Sequence, residues 1–276
     1  MTELNAFYRL SNGIKMPKIG LGTYTLKGAQ AYETVLTALK LGIRHIDSAI
    51  IYQNEQSVGQ AIRDSGVPRE AIFITSKVPP HIKNAPGALR MFKKTLKNLG
   101  LDYLDLLIIN APGPFHDLDG DYDRENIEVY KLLEELYKQN RVKAIGVSQF
   151  KVKDIKNIID HCDIVPHVQQ MSFFIGHTQD DIVTYCQEKG IQIQAFSPLA
   201  KGYLLTNPIV LTIAENYQVT ASQIALRYIL QKSHAVIPKA STETHLRLNT
   251  ELDFVIHDDD MKTLDAIKDD PRKYDD

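Results

Sequence analysis

Short runs of β-branched and other apolar residues alternate along the chain with longer segments in which apolar positions recur every three or four residues. The first kind of run marks strands, the second marks helices with one buried face. Strand-like runs stand at 19–23, 43–48, 72–78, 105–110, 144–148, 167–171, 191–197 and 235–238. Helical periodicity covers 29–41, 55–64, 88–99, 127–139, 152–160 and 179–189. Thr220-Ala221-Ser222-Gln223 has the form of a capping box, with Val219 and Ile224 as its hydrophobic staple, and predicts a helix running to Leu230. Ahead of the first strand, 6–10 and 14–16 flank Ser11-Asn12-Gly13 and predict a hairpin. The Asn-Gly pair predicts a tight primed turn there, in which both central residues take positive φ.

Strands alternating with helices of this length imply a parallel sheet. Eight such units after a hairpin predict an α/β fold, a (β/α)8 TIM barrel with an N-terminal β-hairpin. The rival is an open doubly wound sheet, which carries a glycine-rich turn after its first strand. Here Gly20-Leu21-Gly22 runs into Thr23-Tyr24, with no third glycine at a helix start. No linker interrupts the pattern, so residues 1–276 read as a single domain.

In such a barrel the chemistry stands at the C-terminal ends of the strands. Strand alternation places Lys77 on the face of Thr75, toward the barrel interior. A buried ammonium strongly prefers a carboxylate, and Asp47 ends the neighbouring strand. Tyr52, five residues beyond Asp47, reaches over the same strand ends. Two readings stand side by side here. One is a structural ion pair. The other is a catalytic group in which the lysine lowers the pKa of the phenol and suits it to general acid work.

Composition narrows the classes. Hydrophobic residues make up 43% and charged residues 24% of the 276, which excludes disordered and fibrous proteins. The net charge of -2, with both signs interspersed, speaks against nucleic acid as a partner. The acidic runs at 258–260, 269–270 and 275–276 read as solvated surface. Cys162 and Cys186 form no metal-ligand pattern, so no metal is expected, and both read as small buried hydrophobes. The N-terminus lacks a signal segment, and no run approaches the ~20 apolar residues of a membrane helix. A cytoplasmic protein without membrane partners is expected.

GLGTY at 20–24, HIDSAIIYQNE at 45–55, ITSKV at 74–78, LDYLDLLIIN at 101–110, GVSQ at 146–149, SPL at 197–199 and IPK at 237–239 stand in one order along nearly the whole chain. In these segments the sequence resembles the aldo-keto reductases, in the short form of the 2,5-diketogluconate reductases. The resemblance implies a barrel that binds a nicotinamide dinucleotide, NADPH with NADH possible, and passes hydride to an aldehyde or ketone. Tyr52 matches the family's proton donor, with Asp47 and Lys77 as its supporting pair. Ser148, Gln149 and Gln170 match groups that hold the nicotinamide carboxamide, and Phe196 the ring that stacks on it. Gly22, Thr23, Tyr24, Asp47, Ser197, Leu199, Lys239, Ala240, Ser241, Thr242, His245 and Asn249 complete the implied cofactor set. Tyr24, Tyr52, Asn110 and Ala111 are the implied substrate contacts. A small carbonyl compound is the expected partner, and a monomer or weak dimer the expected state.

The departures from the family pattern cluster at the working end. Asn110 replaces the usual strand-four histidine, as in the potassium-channel β-subunit branch. An amide donates a hydrogen bond but does not titrate. His116 lies six residues on, in a loop, and reads as surface. The chain has no tryptophan: Tyr24, Pro79 and Ala111 stand where indoles often wall the pocket. Phe115, Phe173 and Phe174 are candidates to refill it. Gln149 stands for Asn and Phe196 for Tyr. Ala240 and His245 replace a serine and the arginine that grips the 2′-phosphate by forked bonds. Arg247 sits about 200° around a helix from that position and does not substitute for it. Two functional classes follow: a carbonyl reductase with an altered pocket, and a cofactor-binding regulatory protein with little or no turnover.

Overall fold

The computed structural model describes residues 2–268; Asp269-Asp270 and Asp275-Asp276 lie outside them. With elements numbered in chain order, β1 (Phe7–Arg9) and β2 (Lys15–Pro17) form the antiparallel hairpin. Its turn departs from the primed form. Gly13 takes φ 86°, while Asn12 is not in the positive-φ region. The Asn12 side chain instead accepts from Ile14 N at 3.2 Å and donates to Lys143 O at 3.0 Å, tying the hairpin to the barrel.

The barrel strands are β3 (Leu21–Gly22), β4 (His45–Asp47), β5 (Phe73–Val78), β6 (Leu104–Ile109), β7 (Val142–Ser148), β8 (Val168–Ser172), β9 (Gln192–Phe196) and β10 (Ala235–Val236). They form one sheet in sequence order, every neighbour parallel. The sheet closes where Ile19 bridges Val236, with Gly20 N donating to Val236 O at 2.8 Å and Gly22 N to Pro238 O at 3.1 Å. A Cβ on Gly22 would stand 2.8 Å from the Ile237 carbonyl oxygen, so the seam needs glycine there.

The helices are α1 (Gly28–Lys40), α2 (Glu55–Asp64), α3 (Ala85–Leu99), α4 (Asp123–Lys138), α5 (Val152–His161), α6 (Asp180–Glu188), α7 (Pro208–Tyr217), α8 (Ala221–Gln231), α9 (Glu243–Leu248) and α10 (Asp258–Asp265). The expected capping box opens α8. Asn84 caps α3 by accepting from Gly87 N at 2.8 Å, and left-handed Gly100 ends it. Three helices, α7, α9 and α10, add to the predicted runs. Asn207 and Pro208 start α7, whose Ile209 and Leu211 stay exposed and blur the one-faced pattern. The run Asp258-Asp259-Asp260 is the first turn of α10, where the helix dipole favours negative charge.

Alternation along each strand sorts the side chains. Ile46, Ile74, Leu107, Ile109, Ile145, Val147, Ile193 and Val236 face outward into the apolar layer under the helices. Inside the barrel the lower half is a separate apolar cluster of Phe73, Leu106, Ile108, Ala144, Val168 and Ala235, plugged from below by Leu10 and Met16 of the hairpin region. The upper half is polar: His45, Asp47, Thr75, Lys77, Gln170 and Gln194 are all buried. We expect Gly22→Ala to lower folding stability by roughly 1–3 kcal/mol, as overpacking against fixed backbone does; a denaturant midpoint equal to wild type would mean the seam is pliable.

Candidate active site

The polar upper half is one hydrogen-bonded chain. Lys77 Nζ donates to Asp47 Oδ1 at 2.5 Å and to Ser48 O at 2.9 Å. Gln170 Nε2 donates to Asp47 Oδ2 at 2.7 Å and to Gln194 Oε1 at 2.6 Å. Gln194 Nε2 lies 3.2 Å from His45 Nε2, which Thr75 Oγ1 also meets at 3.1 Å. With Gln194 donating through its amide nitrogen, the ring Nε2 is the acceptor. Burial, aided by the Lys77 ammonium, pushes His45 down to about 3, so the ring stays neutral. Gln194 is absent from the sequence-derived set. The signal for it is weak: it stands two residues before Phe196 and so shares its inward face.

Neighbouring loops are locked to this chain from outside. Ser48 Oγ donates to Asn54 Oδ1 at 3.0 Å, and Asn54 Nδ2 donates to Thr23 O at 2.8 Å and Leu26 O at 3.0 Å. Glu55 accepts from Ser76 Oγ and from Asn98, each at 3.0 Å. These bonds fix the 3-10 turn Ile50–Tyr52 over the strand ends. There the Tyr52 ring lies with its centroid 4.9 Å from Lys77 Nζ and 5.1 Å from the Tyr24 ring.

The expected lowering of the Tyr52 pKa is not what the site produces. Burial raises it, Asp47 adds to that, and the Lys77 ammonium only partly opposes them, so the phenol is held above its ordinary value. Burial works to lower Lys77, but Asp47 and Tyr52 outweigh it and hold the ammonium above the free value. Both groups therefore keep their protons through neutral and mildly alkaline pH.

Above this cluster opens a cavity of about 340 Å³. Tyr52, Asp47, Asn110 and Tyr24 line it on one side. Ser148, Gln149, Gln170, Phe196 and Ser197 line it on another, with Gly22 and Lys239 at the β3–β10 seam. An adjoining cavity of about 580 Å³ shares Gln149, Phe196, Ser197 and Lys201 with it. Asn110 follows β6 directly, its N–H donating to Val78 O at 3.0 Å. Gln149, at φ 58°, donates to Asn110 O at 3.3 Å.

Most of the other sequence-derived residues stand apart from the cavity walls. Thr23 is buried and donates its hydroxyl to Asp47 O at 2.9 Å. Ala111 is buried and lines neither cavity, and Ala240 is in the apolar core. Leu199 is half-buried against that core. Ser241, Thr242 and His245 are exposed around the start of α9, where Thr242 accepts from His245 N at 3.2 Å. Asn249 is buried at the end of α9. Arg247 Nη1 lies 3.9 Å from Glu251. Of the phenylalanines, exposed Phe115 lines the smaller cavity and Phe174 the larger, while Phe173 packs on His234. His116 is exposed. Burial pushes the Cys162 thiol up to about 11 and Cys186 to about 12. Among the described residues no His, Cys, Asp or Glu group could hold a metal, and no helix is long and apolar enough to cross a membrane.

A closed parallel barrel with a half-buried tyrosine over a buried lysine and aspartate, beneath a polar-walled mouth, defines a class of oxidoreductase barrels. A model of the aldo/keto reductase family matches residues 18–269, and the chain belongs to that family. It is 39% identical over 273 residues to the glyoxal reductase of Bacillus subtilis, covering 98% of this chain and 96% of the relative. It is 34% identical over 284 residues to the glycerol 2-dehydrogenase (NADP(+)) of Saccharomyces cerevisiae, covering 94% and 89%. The crystal structure of MGS-M4, an aldo-keto reductase enzyme from a Medee basin deep-sea metagenome library, superposes with TM-score 0.89 at 37% identity, over 95% of this chain and 94% of that one.

Lys77 and Asp47 are both almost fully buried. Removing one partner leaves the other charge uncompensated, so Lys77→Met is expected to lower stability by roughly 3–5 kcal/mol. Lys77→Met with Asp47→Leu should cost less than the sum of the two single changes. Additive losses in denaturant titrations would mean that the two groups do not act as a pair.

Proposed function

We propose that this protein is an NAD(P)H-dependent carbonyl reductase acting on aldehydes or ketones and the corresponding alcohols, with Tyr52 as proton donor. The observation that carries this is the Tyr52 phenol held protonated over the Lys77–Asp47 pair, at the floor of a cavity with room for a small carbonyl compound. Members of the family use NAD(P)H, mostly NADPH. The residues fit a nicotinamide. Gln170 commits both of its N–H bonds to Asp47 and Gln194, which leaves its amide oxygen to accept from a carboxamide. Ser148 and Gln149 stand beside it, and Phe196 offers a ring face. When bound, the nicotinamide supplies the hydride.

The chain's own groups handle the charge that follows. Negative charge builds on the carbonyl oxygen as hydride reaches its carbon. Tyr52 hydrogen-bonds that oxygen and delivers its proton. Lys77 stabilises the resulting tyrosinate across a short distance in a dry site, and Asp47 keeps the ammonium aimed. Asn110 donates to the same oxygen and orients it, without a proton to give. Thr23, Asn54 and Ser48 hold the frame rather than touch substrate.

Asn110 also favours a second reading, a cofactor-binding regulatory protein with little turnover, because the titratable partner of the usual tetrad is missing. A single-turnover assay separates the two: load NADPH, add an activated aromatic aldehyde and follow nicotinamide absorbance. Wild type is expected to consume the cofactor, and Tyr52→Phe to slow this roughly 10²–10⁴-fold with NADPH affinity unchanged. Equal rates in the two proteins would remove Tyr52 from the role. Bound cofactor without decay across a panel of carbonyls would support the regulatory reading.

We also propose that discrimination between NADPH and NADH is weak, with some preference for NADPH kept by Lys239, Ser241 and Thr242. His245 stands in the place of the forked arginine, and Arg247 is turned toward Glu251. Dissociation constants for the two cofactors are expected to differ by well under about a thousandfold. A ratio above that would require an unrecognised 2′-phosphate grip.

A further inference from the structure

Lys83, in the segment between β5 and α3, directs its ammonium at uncharged oxygens. Nζ donates to Pro112 O at 2.6 Å, Asn126 Oδ1 at 2.8 Å and Ala111 O at 3.3 Å. Buried Asn126, in the first turn of α4, adds a bond from Nδ2 to Pro112 O at 2.9 Å. Both gripped carbonyls come directly after Asn110. The segment they open, 111–122, supplies Phe115 to the smaller cavity and Pro112, Leu118 and Asp119 to the larger.

We propose that Lys83 is a positioning residue whose ammonium fixes the peptide groups after Asn110 and so holds the mouth segment 111–122 in place for substrate. Its kinetic consequence rests on the reductase reading; the positioning itself does not. An ammonium offers three donors, and three acceptors meet it. A neutral amine has two donors and turns a lone pair toward an oxygen, so the grip depends on the charge.

Burial pushes Lys83 down to about 8. Glu125 on α4 and Asp154 on α5 offset this in part. The Tyr122 ring lies 5.2 Å from Nζ, and its hydroxyl donates to Asp117 Oδ2 at 2.9 Å. The ammonium therefore discharges in a range where Tyr52, raised above its ordinary value, keeps its proton. Substrate affinity should titrate where proton donation does not.

The chain has no tryptophan, so F115W supplies a single emission reporter on the segment. Its emission is expected to move with a midpoint near 8. F115W/K83R, which keeps its charge throughout, should lose that midpoint, and F115W/K83M should stay at the high-pH value. Without the reporter, KM for 4-nitrobenzaldehyde should rise roughly fivefold from about pH 7 to 9, with kcat changing much less. K83R should flatten that rise. An emission midpoint that survives in K83R, or K83R and K83M with wild-type KM at both pH values, overturns the proposal. If no aldehyde is reduced but K83R still abolishes the emission change, Lys83 keeps its positioning role and the reductase reading fails. Normal turnover with no emission change defeats the Lys83 proposal alone.

Discussion

An ammonium inside a barrel has to be met by a carboxylate, and most of the mouth is arranged around that requirement. Lys77 projects inward from β5 into a buried polar layer, and Asp47 answers it from β4. A carboxylate so placed has a second oxygen to satisfy, and Gln170 does so from across the barrel. Gln170 has a second N–H, which Gln194 takes, and Gln194 passes the demand to a neutral His45. One buried charge thus recruits side chains from β4, β5, β8 and β9. The same bonds leave the Gln170 amide oxygen as an acceptor at the mouth, so the electrostatics of the ion pair prepare the nicotinamide position proposed above.

The two ends of the barrel are built for different purposes. The lower interior is apolar and plugged by Leu10 and Met16, with Asn12 tying the hairpin down. Among the non-glycine residues with positive φ, Asn140, Gln218 and Ser233 simply terminate helices and Gln179 precedes α6. At the mouth, Thr25, Gln53, Gln149, Ser197, Ala200 and Lys201 all take positive φ. Each such residue costs about 1–2 kcal/mol. Strain concentrated where the chain must present side chains to a cavity, and sparse where it only packs, fits a fold whose lower half stabilises what its upper half uses.

Much of this was readable in the chain because it depends on local pattern. Each of the eight barrel strands lies in or overlaps its apolar run, and alternation alone turns Lys77 inward toward Asp47. What escaped the sequence depends on sums over distant groups. The Tyr52 phenol feels Lys77 and Asp47 in opposite senses, and burial decides the balance; spacing reports the neighbours but not the burial. Gln194 looks like any polar strand residue until the interior at its height proves polar. Lys83 meets partners 28 to 43 positions away, across three segments. Helix α7 was obscured by apolar residues on its exposed face, and Asn12 formed side-chain bonds that made a primed turn unnecessary.

The substitution of Asn110 gains meaning from the proton inventory. His45 is neutral and committed to Gln194 and Thr75, Asn110 has no proton to transfer, and Lys77 is held above the free lysine value. In the proposed chemistry Tyr52 is then the group at the cavity floor that gives its proton to the substrate oxygen. A phenol held above its ordinary value is a weak acid toward a neutral carbonyl but a sufficient one toward an alkoxide. Proton transfer should accordingly follow charge development on the oxygen rather than precede it. The burden of the reaction falls on how well Lys77, Tyr52 and Asn110 stabilise that charge, and therefore on a correctly placed mouth.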